Sequence, residues 1–387
     1  MQISFHPKNI LLLLFTVVLV SCQQQKKEVL PDVNPVNLEK IEYAKGFSIE
    51  KSSNGITIIK ITSPWPNSES AFRYALIPRE KLASITLNKD EYDAIIAVPV
   101  EKIVATSTTH IPALEALGVE NKLFGFPDTE YISSEKTRKR IDSGFIKELG
   151  NNESINTEMV LAMNPDVVFG FSINNQNTAY ETIQRSNIPV VYNGDWTEET
   201  PLGKAEWIKF FAPFFGKEVL AESVFRGIKD SYLKATALAK KAKQTPTVLG
   251  GAMYKDVWYL PGGKSWAAQF IKDANANYKW HDTNETGSLS LSWETVLEKS
   301  NSTDFWIGPA QYTSYKEMSK ASNHYQQFES FKNKKVFTYS NTKGATGGLL
   351  YYELAPHRPD LVLKDLIHIF HPELLPEYKN TFFMPLE

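Results

Sequence analysis

The chain has 387 residues, a formal net charge of −2 and one cysteine. That balance leaves no nucleic-acid footprint, and one thiol excludes a disulfide framework or a cysteine-ligated zinc site. The length predicts about two domains, and 8 Trp, 17 Tyr and 22 Phe supply flat side chains for a core and for a binding surface.

The apolar run Ile10–Val20 follows Lys8. It is far shorter than the ~20 residues that span a bilayer and fits the ~7–15-residue core of a secretory signal. Leu19-Val20-Ser21-Cys22 then resembles a lipobox, in which the cysteine sulfur takes the lipid and acyl chains anchor a soluble body. Residues 1–21 therefore read as a lipoprotein signal peptide, Cys22 as the lipidation site and the polar stretch 22–40 as a tether. An ordinary signal peptide with a chance cysteine is the alternative.

The segment 45–78 alternates apolar and polar residues around Asn54-Gly55, a strong hairpin signal. Next come a short strand ending at Ala105, a polar loop Thr106–His110, and an amphipathic helix closed by Gly118. NPDVVFGFS (164–172) and IPVVYNGDW (188–196) read as buried strands separated by a helix, which implies a parallel sheet with helices on its faces. From Lys217 to Lys243 there is no proline, and Val219, Phe225, Ile228, Tyr232, Ala235 and Ala239 recur at helical spacing. After it the alternation returns, with strands at 247–253 and 257–260 and a helix from Trp266 to Ala274. INTEMVLAMNPDVVFGF (155–171) and SWETVLEKSNSTDFWIGP (292–309) match as helix, turn, Asp and strand, with Asp166 against Asp304. This predicts an α/β protein of two Rossmann-like lobes, parallel sheets with flanking helices, joined by one long rigid helix with a ligand cleft between the lobes. The expected divisions are a first lobe with an initial β-hairpin over 41–212, a backbone helix over 213–245 and a second lobe over 246–387. One large α/β domain with a surface helix is the competing arrangement.

Several catalytic motifs fail. PGGKSW (261–266) has Trp258 where a phosphate loop needs its first glycine, and GFSIN around Ser172 lacks the second glycine of a nucleophile elbow. His368 and His371 lie one helical turn apart with no third ligand in sight. No catalytic constellation and no metal site emerge, so an enzyme is not expected; a cell-envelope hydrolase on two α/β lobes is kept as the alternative of another class. In open α/β sheets ligands sit beyond the carboxyl ends of the strands. The loops there nominate Thr108, His110, Ser172 and Trp196 in the first half. In the second half they nominate Tyr254, Trp258, Trp266, Tyr312 and Thr346. Hydroxyls and aromatics with few charges suit a bulky, partly apolar ligand and not a bare metal ion.

YAKGFSIE (43–50), VPVEKIVATSTTHIPALEALG (98–118), INTEMVLAMNPDVVFGFS (155–172), the helix 217–243 and YYELAPHRPDLVLKDLIHIFHPELLP (351–376) together resemble the periplasmic substrate-binding proteins of ABC importers for iron–siderophores, haem and cobalamin. The resemblance covers almost all of the chain beyond the tether. It implies a monomeric, lipid-anchored receptor in the cell envelope that captures a metal chelate between its lobes and docks on a permease in the cytoplasmic membrane. An iron–siderophore is the first expectation, a cobalamin or related corrinoid the next, then haem; the chelate is cargo, and no resident cofactor or nucleic-acid partner is implied. The family pairs an exposed glutamate on each lobe with permease arginines. Glu135 or Asp142 is the counterpart in the first lobe, whereas the second offers Asn275-Ala276 at the usual place, with Asp273 or Glu285 as substitutes.

Overall fold

The structure is a computed structural model that describes residues 28–29, 35–38, 40–66 and 68–387, the first two stretches as backbone strands. The expected signal peptide and Cys22 lie outside the described residues.

Short runs of Val, Ile and Phe form the centre of each lobe. In the first, Lys147–Glu148, Leu123–Phe126, Ile103–Ala105, Val167–Gly170 and Val190–Tyr192 lie side by side in that order, all parallel. In the second, the order is Asn277–Tyr278, Thr247–Gly250, Phe305–Ile307 and Val336–Thr338, parallel, with Met384–Pro385 antiparallel at the edge. Ile103–Ala105 and Val167–Phe169 are wholly inaccessible, as a sheet covered on both faces requires. The strand order reverses beside Ile103–Ala105 in one lobe and beside Thr247–Gly250 in the other. Each reversal leaves a crevice at the carboxyl ends.

The helix Glu218–Ala239 joins the lobes. At ~1.5 Å per residue it spans about 33 Å. Its buried residues divide between the two cores: Ala221, Phe225 and Ile228 pack into the first, Tyr232, Ala235 and Ala239 into the second. It lies against the helix Ile208–Phe215 on one side and Pro359–Phe370 on the other. Three details differ from the sequence reading: the helix begins at Glu218, residues 213–215 belonging to the preceding helix Ile208–Phe215. The helix stops at Ala239, because Lys240, Lys241 and Lys243 offer no apolar face to bury. Val219 is 86% exposed, and Ala221 occupies the buried face instead.

A further sheet precedes the first lobe, ordered Pro35–Leu38, Phe47–Ser52, Thr57–Ile61, Phe72–Pro78 and Ala94–Val98. Its hairpin turns at Gly55, whose φ of +86° suits glycine. Alternation along the strands sends Ile49, Ile59 and Ile61 into the first-lobe core and Ile58 and Ile77 into a small core capped by Leu87 and Tyr92. Part of the expected tether is not tether: Glu28–Val29 pairs with Ile85–Thr86, and Pro35–Leu38 with Phe47–Ser52. Open strand edges there provide the backbone partners.

Candidate functional site

Between the lobes lies a cavity of about 1380 Å³. One wall is the loop Trp196–Glu199, which follows the strand Val190–Tyr192, together with Lys45, Ser63 and Trp65 from the segments that flank strands of the preceding sheet. Its second-lobe wall is aromatic: Tyr254, Tyr259, Trp266, Tyr312, Tyr339, Tyr351 and Tyr352. A smaller chamber of about 470 Å³ shares Gln311 and Tyr352 with it and is lined by Thr106–Thr108, Asp128 and Asn152 on one side, Ser340 and Lys343 on the other. Most of these residues sit just past strand carboxyl ends, where helix and strand backbones diverge and leave space.

Local features aim these side chains. Gly251 adopts φ +72°, and a Cβ there would stand 1.9 Å from the Tyr259 carbonyl oxygen. Only glycine lets the strand Thr247–Gly250 break and re-enter as the hairpin Ala252–Tyr254 and Val257–Pro261. Ser265 caps the helix Trp266–Asp273, accepting from the Ala268 N–H, and so places Trp266 at the helix start. Tyr339 and Tyr351 stack at 4.5 Å with an interplanar angle of 11°, and the Tyr339 and Tyr352 hydroxyls are 3.1 Å apart. On the first lobe, Glu198 accepts the Lys45 and Gly46 N–H groups, both at 2.8 Å, and the Trp207 indole N–H at 3.0 Å. That carboxylate fastens the preceding sheet to the cleft wall. Lys204 donates to the Asp195 and Trp196 carbonyls, and its Nζ lies 5.2 Å from the Trp266 ring centroid. Burial lowers the Lys204 ammonium to about 8, with Asp195 and Glu198 pulling it back up.

The cavity draws together Trp196, Tyr254, Trp266 and Tyr312 from the nominated set, and Thr108 lines the smaller chamber. Four nominated residues lie elsewhere. His110 is fully buried with its ring edge-on to Phe211, and burial lowers it to about 3. Trp258 is fully buried, stacked on Trp306 and donating to the Gly250 carbonyl. Ser172 is spent on the Asn174 carbonyl, at 2.6 Å. Thr346 donates to the Glu130 carbonyl across the lobes, at 2.7 Å. Among the docking candidates, Glu135 and Glu285 are exposed and Asp142 pairs with Arg138 at 3.4 Å. Asp273 accepts from the Tyr232 hydroxyl at 2.6 Å and the Gln269 amide at 2.8 Å.

Sequence reasoning missed Trp65, Tyr259, Tyr339 and the Tyr351–Tyr352 pair. Tyr339 directly follows the strand Val336–Thr338, so the carboxyl-end rule could have found it. Trp65 gave no signal, because its loop belongs to a sheet outside the two lobes. The glycines of PGGKSW serve packing: a Cβ on Gly262 would meet the Glu285 carbonyl oxygen at 2.3 Å, and one on Gly263 the Trp280 carbonyl oxygen at 2.5 Å. His368 is hydrogen-bonded to Asn380, and His371 faces the Ala274 carbonyl. Among the described residues no three His, Cys, Asp or Glu side chains gather as metal ligands.

Two α/β lobes on a helical spine thus frame an aromatic cleft able to take a bulky solute. The model of the periplasmic binding protein family matches residues 103–342. An uncharacterised lipoprotein of Methanocaldococcus jannaschii is 26% identical, with 97% of this chain and 95% of the relative covered. Among solved structures, a possible iron-binding (periplasmic solute-binding) protein of Staphylococcus epidermidis shares the fold with a TM-score of 0.56 and 18% identity, covering 70% of this chain and 99% of that one. A periplasmic haem-binding protein of Pseudomonas aeruginosa gives 0.54 and 17%, covering 74% and 96%. The chain belongs to the periplasmic binding protein family. It is a binding protein and not an enzyme, and the hydrolase alternative falls with that membership.

Proposed function

We propose that this protein is the lipid-anchored receptor of an ABC importer for a metal chelate, with an iron–siderophore as the first candidate cargo. The interlobe cavity carries the reading. At about 1380 Å³ it exceeds the ~300–1,000 Å³ of drug-sized sites, and its aromatic wall offers stacking faces to a bulky chelate. The charge of the lining favours a second reading, an uncharged corrinoid. Among the described residues, the basic ones lining the two chambers are Lys45, which pairs with Glu199 at 3.4 Å, and Lys343.

Capture here positions the cargo between lobes whose exposed Glu135 and Glu285 are the groups offered to permease arginines. Asp142 is a weaker candidate because Arg138 already holds it. Cys22 keeps the receptor beside its importer, and a Cys22→Ser chain is expected to leave the membrane fraction. The direct test is tryptophan quenching, since Trp65, Trp196 and Trp266 line the cavity. Ferric siderophores, cyanocobalamin and haemin are titrated in turn. Saturable quenching by one class at micromolar concentration or below identifies the cargo; no quenching by any of the three rejects the chelate reading.

A further inference from the structure

The lobes also touch through a polar seam beside the smaller chamber. Glu130–Ser134 of the first lobe lies against Gly344–Glu353 of the second. Two glycines permit the approach: a Cβ on Gly344 would stand 2.6 Å from the Ser133 Cα, and one on Gly348 2.2 Å from the Tyr131 carbonyl oxygen. The Ser133 hydroxyl donates to the Gly348 carbonyl at 2.9 Å, beside the Thr346–Glu130 bond already described. At the centre is the Glu353 carboxyl, on a residue 2% exposed. It accepts the Ser133 N–H at 2.5 Å and the Ser134 N–H at 2.9 Å. Ser134 caps the helix Glu135–Asp142, so a second-lobe carboxyl closes the positive end of a first-lobe helix.

Opposing influences act on that carboxyl. The two amides favour its ionised form, whereas burial and the neighbouring Glu115 oppose it. Burial wins, and the group is pushed up to about 7. Glu115, on the helix His110–Ala116, itself accepts from the Ser134 and Thr137 hydroxyls. Other charges on the packed elements do not offset this. Lys136 is held by Glu120 at 2.6 Å and Arg358 by Asp360 at 2.8 Å. Glu130, Glu135 and Lys343 are exposed to water, where screening weakens them. His357 is lowered by burial to about 4 and stays neutral across the range in which Glu353 titrates.

We propose that Glu353 is a proton-responsive latch that holds the two lobes together more firmly when its carboxyl is protonated than when it is ionised. The sign follows from linkage. If the seam opens, the carboxyl returns to water and to its ordinary value of 4.5. The latched state then binds the proton more tightly than the open state, so protons favour latching. The added hold is complete below the ordinary value and is lost as pH rises through about 7. The latch acts on the motion of the lobes, whichever cargo the cleft takes.

Hydrogen–deuterium exchange on the full chain, without ligand, reads the latch at the Ser133 and Ser134 amides. After correction for intrinsic rates, protection is expected to be roughly tenfold or more higher at about pH 5.5 than at about pH 8. In Glu353→Gln the dependence disappears, while amides in the strand Val167–Gly170 behave as in the parent. A parent profile flat across this range overturns the latch, whatever the variant does. So does a Glu353→Gln profile with the parent's pH dependence.

Discussion

Asp166 and Asp304 perform the same task in the two lobes. Asp166 Oδ2 accepts the Glu101 N–H at 2.7 Å and the Lys102 N–H at 3.0 Å, at the entry to the strand Ile103–Ala105. Asp304 Oδ2 accepts the Thr247 N–H at 2.7 Å and its hydroxyl at 2.8 Å, at the entry to the strand Thr247–Gly250. In each lobe the residue before one central strand fixes the start of its neighbour, and so fixes where the cleft loops emerge at the other end. Replacing Asp304 by Asn leaves a neutral acceptor in place of a charged one. The expected loss is about 1 kcal/mol, because the site is exposed and hydrogen bonds to charged groups contribute a little more than neutral ones. Urea unfolding of Asp304→Asn and Asp166→Asn beside the parent checks this; unchanged midpoints in both would show that the pairing is ornamental.

Trp258 and Trp266 separate packing from binding. Trp258→Ala empties a fully buried site against Trp306 and Phe328 and is expected to cost about 3–5 kcal/mol. Trp266→Ala removes a cleft wall; it is expected to weaken binding of the quenching chelate about tenfold with a modest loss of stability. Thermal unfolding and titration of both variants give the comparison. Equal binding losses would place the cargo somewhere other than the cavity.

Acid should weaken the fold through its buried imidazoles. His110 is held at about 3 and His357 at about 4 by burial, both below the ordinary 6.5. The unfolded chain therefore binds protons first. Stability from each is complete above that ordinary value and declines as pH falls towards the folded value, by about 1.4 kcal/mol per unit at most. Glu353 acts in the opposite direction over part of this range, so the informative quantity is the difference between the parent and His110→Leu. The stability of the parent relative to the variant should fall steadily from neutral pH to about pH 4. A constant gap would mean that the ring is protonated in the folded state.

Gly227 lies in the middle of the spine, and a Cβ added there meets nothing within 4 Å. Alanine stiffens the unfolded chain and favours the helix, so Gly227→Ala is expected to gain about 0.5–1 kcal/mol. Gly251→Ala is the contrast, because its Cβ collides with the Tyr259 carbonyl. Melting temperatures should move in opposite directions; a loss at Gly227 would point to a backbone bend that needs the glycine.

The strands flanking the cleft were legible because buried parallel strands are written as short apolar runs bounded by turns. That is why the loops after Ala105, Tyr192 and Ile307 are readable from the sequence. Which side chain of a loop or strand enters the cleft was not legible. In the strand Val257–Pro261 the sequence nominated Trp258, but its neighbour Tyr259 faces the cavity and is 43% exposed. Successive side chains of a strand take opposite faces, and local pattern does not say which face meets the core when both residues are aromatic.

The sequence by itself determined the local alternation, the paired aspartates and the long helix, since each is encoded in spacing along a few turns or strands. Only the tertiary structure decided that His110 is buried, that Trp65 joins the cleft from a separate sheet and that Glu353 reaches the Ser133 and Ser134 amides. Such contacts join residues far apart in the chain, and their energies depend on burial and on opposing backbones that no local pattern specifies.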